Sequence, residues 1–247
     1  ARHGATLLPV EKCNAPAFLE QVKAIAADIV FVIGWSQICG PEFRAAAGGR
    51  VVGYHPAPLP RLRGRAVIPW TILLDEKITA SSLFWIDDGV DSGPLLAQRF
   101  FHVAPAETAG SLYAKHMVAL DTMLSELLPR LARGPVSGEP QDETVATWAT
   151  RRRPDDGRID WHEAAAEVER LVRAVGHPYP GAFTDAGGDR ITIWAARACD
   201  CAGRQHARAG QLVLRHTEGF AVRCGDGPPP HVLPFETSAR RPALHSL

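Results

Sequence analysis

The chain has 247 residues, 46% of them hydrophobic and 22% charged, with 27 basic against 27 acidic side chains. That length supports one large domain or a large one with a small companion. The zero formal charge gives no global electrostatic case for nucleic acid, the apolar content excludes disorder as the main state, and no apolar run reaches the ~20 residues that span a bilayer.

The opening stretch ARHGATLLPVEKC has no long apolar core of the signal-peptide kind, which predicts a cytoplasmic protein. The five cysteines (Cys13, Cys39, Cys199, Cys201 and Cys224) are odd in number and scattered, and are read as reduced thiols. Only Cys199 and Cys201 lie close together, and a C-x-C pair lacks the second pair of ligands that a structural zinc needs, so no metal is expected. Pro16 to Ala27 has apolar residues at helical spacing (Phe18, Leu19, Val22, Ile25) with Pro16 near the first turn. The run IVFVIGW that follows predicts a strand buried on both faces, as in a parallel sheet. After a helix broken at Gly48-Gly49, Arg50 to Tyr54 predicts a second strand, and Pro56, Pro58 and Pro60 force an extended loop. A helix through Ile68–Leu74 comes next, then the strand ASSLFWID, a polar DDGVDSG loop and the strand LLAQRFFHV. Ser111 to Leu131 predicts a long amphipathic helix ended by Gly134-Pro135.

Composition then shifts. Residues 134–157 are rich in proline, glycine and charge and read as a linker between a first domain (1–133) and a second (158–247). The second domain opens with a helix over Trp161–Val175 and continues as short strands between glycine-rich turns, a pattern of small barrels and sandwiches. The tail from Arg240 reads as frayed.

Two segments carry chemistry. One is the loop from Gly53 through His55, Pro56 and Pro60 to Arg63 and Gly64; the other is Asp87-Asp88-Gly89-Val90-Asp91-Ser92-Gly93. Both sit at or just beyond a predicted strand's carboxyl end, where open α/β sheets place ligands. Taken singly, His55 reads as well as a satisfied structural histidine, and Asp91 as a solvated turn carboxylate. Together, in this order and 36 residues apart, they resemble the 10-formyltetrahydrofolate-dependent formyltransferases. That family's loop reads roughly Asn-x-His-Pro-Ser-Leu-Leu-Pro-x-x-Arg-Gly, followed by an acidic-Gly-x-Asp-(Ser/Thr)-Gly loop. The segments VFVIGWSQI, RGRAVIPWTIL and RRRPDDGRIDWHEAAAEVERLVRAVGHPYPGAF are similar to further family segments, so the likeness covers nearly the whole chain.

The resemblance implies a Rossmann-like, mostly parallel α/β sheet with helices on both faces, followed by a small β-rich, OB-like C-terminal domain. It implies transfer of a formyl group from 10-formyltetrahydrofolate to a primary amine. His55 is similar to the histidine that stabilises the oxyanion of the tetrahedral intermediate, and Asp91 to the carboxylate that handles protons through water. Gly34, Trp35, Ser36, Ile38, Asp88, Gly93 and Pro94 would contact the folate, with Trp35 and Ile38 as apolar walls; plain core packing is the other reading of Trp35. Pro56, Pro60, Arg63, Gly64 and Arg65 would face the amine substrate. The chain departs from the family pattern at Gly53, which stands where an asparagine is usual, and Gln37 or Ser36 are candidates to replace that donor. Its start also aligns after the family's first strand, helix and strand.

The acceptor stays open between an amino sugar nucleotide or related small amine and methionyl-tRNA. Residues 197–247 hold seven arginines against four acidic residues, a small basic excess that equally suits a solvated surface, and the chain has only four lysines. RGRAVIPW and RRRPDDGRIDWHEAA look closer to the amino-sugar enzymes than to those acting on tRNA. A formyltetrahydrofolate hydrolase and a non-catalytic folate-binding homologue are the remaining alternatives.

Overall fold

The computed structural model describes residues 4–197, 206–215, 219–225, 231–234 and 236–237, and its chain divides into two compact units. Cys199, Cys201, most of the arginine-rich stretch after Arg197 and the tail from Arg240 lie outside the described residues. Among those described, no helix is long and apolar enough to cross a membrane.

The first unit comprises residues 1–64, 80–100 and 119–148. Its elements begin with α1 (Pro16–Ile25), β1 (Val30–Val32), α2 (Pro41–Ala46) and β2 (Val51–His55). Each helix has proline in its first turn, where the missing N–H costs nothing. Phe18 of α1 stacks on Phe43 of α2, and both helices close over Cys13, Val22 and Val51. Along the chain there follow the short β3 (Arg63–Gly64), α3 (Val67–Leu73), which belongs to the second unit, β4 (Ile78–Trp85), β5 (Leu95–His102) and α4 (Ala109–Arg133), whose residues before Ala119 also belong to the second unit. The sheet order is β1-β2-β4-β5. The expected parallel pairing joins β1 to β2, while β4 runs antiparallel to β2, so the sheet is mixed. β2 is almost wholly buried, whereas β1 is half-buried along its length, against the expectation of burial on both faces. Among the described residues β1 is an edge strand: it has β2 on one side only.

The second unit comprises residues 65–79, 101–118 and 149–247. Following β6 (Trp148–Ala149), α5 (Ala165–Val175) buries Val168, Val172 and Val175 against Ile68 and Ile72 of α3. This helix starts four residues later than the sequence predicts, because Asp160 Oδ1 accepts the His162 N–H and turns the chain there. Two three-stranded sheets complete the unit. β7 (Ala182–Ala186) and β8 (Asp189–Ile193) pair with β12 (Glu236–Thr237), and β9 (Leu212–Arg215) and β10 (Gly219–Val222) with β11 (His231–Pro234). Every one of these pairings is antiparallel, giving the small β-rich C-terminal region expected, within a unit that also takes in α3, α5 and the start of α4.

Glu107 is a buried carboxylate at the entry to α4. Burial works against its charge, but hydrogen bonds from Lys115, the Ser111 hydroxyl and the Ala104 N–H outweigh this and hold it below its ordinary value of 4.5. A carboxyl depressed by folding stabilises the native state fully above its unfolded value and loses that contribution as pH falls through the folded one. Glu107→Gln is therefore expected to cost about 2 kcal/mol at pH 7 and to lessen the loss of Tm on acidification below about pH 4.5. Melting curves of both proteins from pH 7 to pH 3 check it; equal Tm values at pH 7 would refute it.

Candidate functional site

β2 delivers His55 to the carboxyl end of its strand, opposite Ser82 of β4. The proline loop beyond it is fastened from below. Ser82 Oγ donates to Ala57 O at 2.7 Å, and Gln98 Nε2 donates to Leu59 O and to Ser82 Oγ, both at 2.9 Å. This brings the Leu62 carbonyl, at a left-handed residue (φ 57°), to 2.7 Å from His55 Nε2. A carbonyl can only accept, so Nε2 carries a proton and Nδ1 is the nitrogen left for chemistry. His55 is 5% exposed. Asp91 Oδ2 lies 3.5 Å from Nδ1 and accepts the Gly64 N–H at 2.8 Å. The expected pair is thus brought together, at a separation that tightens readily when substrate binds.

Asp91 is itself left-handed (φ 53°), a conformation that a non-glycine residue holds only when its surroundings fix it. Asp87 Oδ1 fixes one side of the loop by accepting from Gly89 N (3.0 Å) and Ser92 Oγ (2.8 Å). Gly93 fixes the other: a Cβ there would lie 1.7 Å from the Trp85 carbonyl oxygen, and Pro94 O accepts the Trp85 N–H at 2.9 Å. Gly93 and Pro94, expected at the folate, pack against the end of β4 and the segment that leaves α4, where Gln141 Nε2 donates to Gly93 O at 2.7 Å. Asp88 is exposed and ion-paired with Arg44.

Gly53 is roofed by its own sheet. A Cβ at this position would meet the Phe84 ring at 2.6 Å and Ile86 Cγ1 at 3.0 Å, because Phe84 is its register partner on β4. The space of the family asparagine is therefore filled by Phe84 and Ile86. Gln37, expected to substitute for that amide as an oxyanion donor, is engaged at both ends elsewhere: Oε1 accepts from Cys13 N (3.1 Å) and Nε2 donates to Glu11 O (2.6 Å). It laces the segment before α1 to the loop after β1. On that loop Gly34 (φ 64°), Trp35, Ser36 and Ile38 are exposed, Ile38 at 73%. Trp35 lines an apolar cavity of about 290 Å³ with Val10, Phe18, Val22 and Val30. Cys13 and Cys39 line it too, as free thiols, and burial, aided by Cys13, pushes the Cys39 thiol up to about 12.

Arg63 does not face a substrate. Its guanidinium is 2% exposed and donates to both Glu143 oxygens (2.8 and 2.6 Å) and to Gln141 Oε1 (2.8 Å). Hydrogen bonding to Glu143, with Asp87 and Asp91 adding, raises its affinity for the proton, and Glu143 is lowered by the same contact. Pro56 and Pro60 are half-buried, and Pro60 O accepts from Thr147 N at 3.2 Å. Arg65 is exposed and belongs to the second unit. Residues 134–148, read from composition as linker, belong to the first. Ser82, Gln98, Gln141 and Thr147 are supports that the sequence reading passed over; the signal was a polar side chain inside an apolar strand for the first two, and none for the others. Among the described residues no group of His, Cys, Asp or Glu is arranged to hold a metal ion.

Comparison with known proteins completes the picture. Residues 8–128 match the Formyl transferase family and residues 152–229 match Formyl transferase, C-terminal domain. Among solved structures, HypX from Aquifex aeolicus in complex with tetrahydrofolic acid is similar over 87% of this chain, at 20% identity and a TM-score of 0.72. The chain spans only 36% of that protein's length. An N-formyltransferase from Helicobacter canadensis, solved with folinic acid and dTDP-3-aminofucose, is similar over 84% of this chain and 74% of its own, at 16% identity and a TM-score of 0.64. Methionyl-tRNA formyltransferase from Clostridium thermocellum is similar over 73% of this chain and 77% of its own, at 25% identity and a TM-score of 0.61.

Proposed function

Because this chain belongs to the formyl transferase family, we propose that it transfers the formyl group of 10-formyltetrahydrofolate to a primary amine, most simply that of an amino sugar nucleotide or a related small molecule. The observation that carries this reading is the pairing of buried His55 with half-buried Asp91, 3.5 Å apart between two loops that the fold holds in place. The exposed apolar side chains of Ile33, Trp35, Ile38 and Val90 in the same unit suit one face of a flat heterocycle such as a pterin.

In this reading the amine nitrogen attacks the formyl carbon, and Asp91 takes the proton that the nitrogen sheds. Asp91 passes this proton to His55 Nδ1, whose N–H then donates to the formyl oxygen as charge develops on it, while Leu62 O, accepting from Nε2–H, keeps the ring from turning. Collapse of the tetrahedral intermediate breaks the bond to N10, which leaves with the proton returned through Asp91, giving a formamide and tetrahydrofolate. Atoms and charges balance without a metal or an oxidant. The small-amine acceptor is supported by the scarcity of lysine in the chain, since phosphate contacts along a tRNA would rest almost wholly on arginine.

Titration calorimetry with 5-formyltetrahydrofolate, a stable analogue of the donor, tests the donor half. A 1:1 isotherm is expected, weakened about tenfold in Trp35→Ala; absence of binding to the wild type would remove the reading. Incubation with 10-formyltetrahydrofolate and either amino sugar nucleotides or methionyl-tRNA identifies the acceptor. Formate release with no formamide would make the protein a hydrolase instead.

A further inference from the structure

We propose that Gln141, in the segment that leaves α4, is a positioning residue that sets the aim of Asp91 at His55. Its amide lies across the acidic loop: Nε2 donates to Asp91 O at 2.9 Å and to Gly93 O at 2.7 Å, one carbonyl on each side of Ser92. Its Oε1 accepts from Arg63 Nη2 at 2.8 Å and Nε at 3.3 Å. All the amide's hydrogen-bonding capacity is therefore spent between the two loops that carry the pair. Arg63 is buried and held by Glu143 of the same segment, so Gln141 is clamped from behind by a charge that cannot swing away. Backbone pairing anchors the segment before Gln141, where Leu95 and Glu139 exchange N–H···O bonds at 2.8 Å. It is anchored again after Gln141, where Thr147 Oγ1 accepts from Leu62 N at 2.9 Å and Thr147 O from Arg63 N at 2.9 Å.

The physical need for such a residue is plain. Asp91 has a left-handed backbone that a β-carbon disfavours, so the loop relaxes unless something binds its carbonyls in that conformation. A bifurcated pair of N–H donors does this. A glutamate in its place would still accept from Arg63, as a stronger ion pair, but would turn a carboxylate oxygen towards two carbonyl oxygens. The donor side and the acceptor side of Gln141 are thereby separable by one substitution of nearly equal volume.

The inference rests on the formyl-transfer reading for its kinetic readout, and one measurement is independent of it. In Gln141→Glu we expect the Tm to stay within a few degrees of wild type while kcat falls about 10- to 100-fold, the cost of misplacing a reacting group by about an ångström, with KM for the folate donor changed less than about twofold. The imidazole nitrogen shifts of His55, read by NMR in the absence of substrate, should move in the same direction as in Asp91→Asn. If Gln141→Glu does not fold, Gln141→Met is read in the same way, since Arg63 keeps Glu143. A folded variant with wild-type kcat and wild-type His55 shifts overturns the proposal. Should the wild-type protein show no formyl transfer, the shifts alone decide: unmoved in the folded variant, they overturn it, and moved, they uphold it while the assigned reaction falls.

Discussion

Replacing Asp91 by Asn is expected to lower formyl transfer about 10²–10⁴-fold while leaving the fold intact. The amide oxygen of Asn can take the place of Oδ2 and still accept the Gly64 N–H, so the contact that ties the two loops survives. What is lost is a group able to receive and return a proton beside His55 Nδ1. Tm should therefore change little, and the deficit should appear in single-turnover formation of the formamide rather than in binding of the folate. A variant within about threefold of wild type in single turnover would leave Asp91 with only the structural half of its role.

Gly53→Asn is expected to do the opposite, harming the fold first. In a site with room for it, an asparagine two residues before the histidine would add an oxyanion donor. Here the first side-chain atom already meets the Phe84 ring at 2.6 Å, and Phe84 is 4% exposed, walled in by the sheet. Overpacking of this kind costs about 1–3 kcal/mol, a fall in Tm on the order of 5 °C for a chain of this size, and β2 shifts with the histidine it carries. Turnover should drop with stability. The double variant Gly53→Asn/Phe84→Ala opens the space and should recover part of both, so that the two changes are strongly non-additive. Gln37→Ala, which removes only an exposed lacing between the start of the chain and the loop after β1, should keep near wild-type turnover. Gain of activity in the single Gly53→Asn variant, or loss of it in Gln37→Ala, would show that the site keeps the family's two-donor arrangement after all.

These two variants also mark what the sequence could and could not tell. His55 and Asp91 were legible because a rigid proline loop and a tight Asp-Gly turn are local chemistry: the residues that shape each loop lie beside the residue it presents. The helices α1, α4 and α5 and the strands β2, β4 and β5 were legible for the same reason, through periodicity. The mixed direction of the sheet was not, since an apolar strand such as ASSLFWID reads alike whichever way its neighbours run. Arg63 was misread because a family motif and a charged side chain suggest a ligand, and nothing local announces a glutamate 80 residues later that buries it. Gln37 was misread in the same way: a polar residue near the site invites a catalytic role until its two partners, 24 and 26 residues upstream, are seen. Gln141 was invisible, because a stretch rich in proline, glycine and charge looks the same whether it floats or is bound down.

That last point bears on where the polypeptide can be cut. The composition of residues 134–157 invites dissection after Arg133, and the same stretch looks like a natural place to insert a tag or a second protein. Gly138 already lies so close to Pro94 that a Cβ would come within 2.5 Å of its side chain, and from there to Trp148 the segment, through a bridge at Glu139 and a 3-10 turn over Glu143–Val145, is hydrogen-bonded to both loops. The smallest piece able to present the histidine and the carboxylate in register thus ends no earlier than Trp148, and Gly134–Pro135, before Val136 O accepts from Trp85 Nε1 at 3.1 Å, is the better point of entry for foreign sequence. A module boundary drawn by composition and one drawn by hydrogen bonds differ here by fifteen residues, enough to separate a working fragment from an inert one.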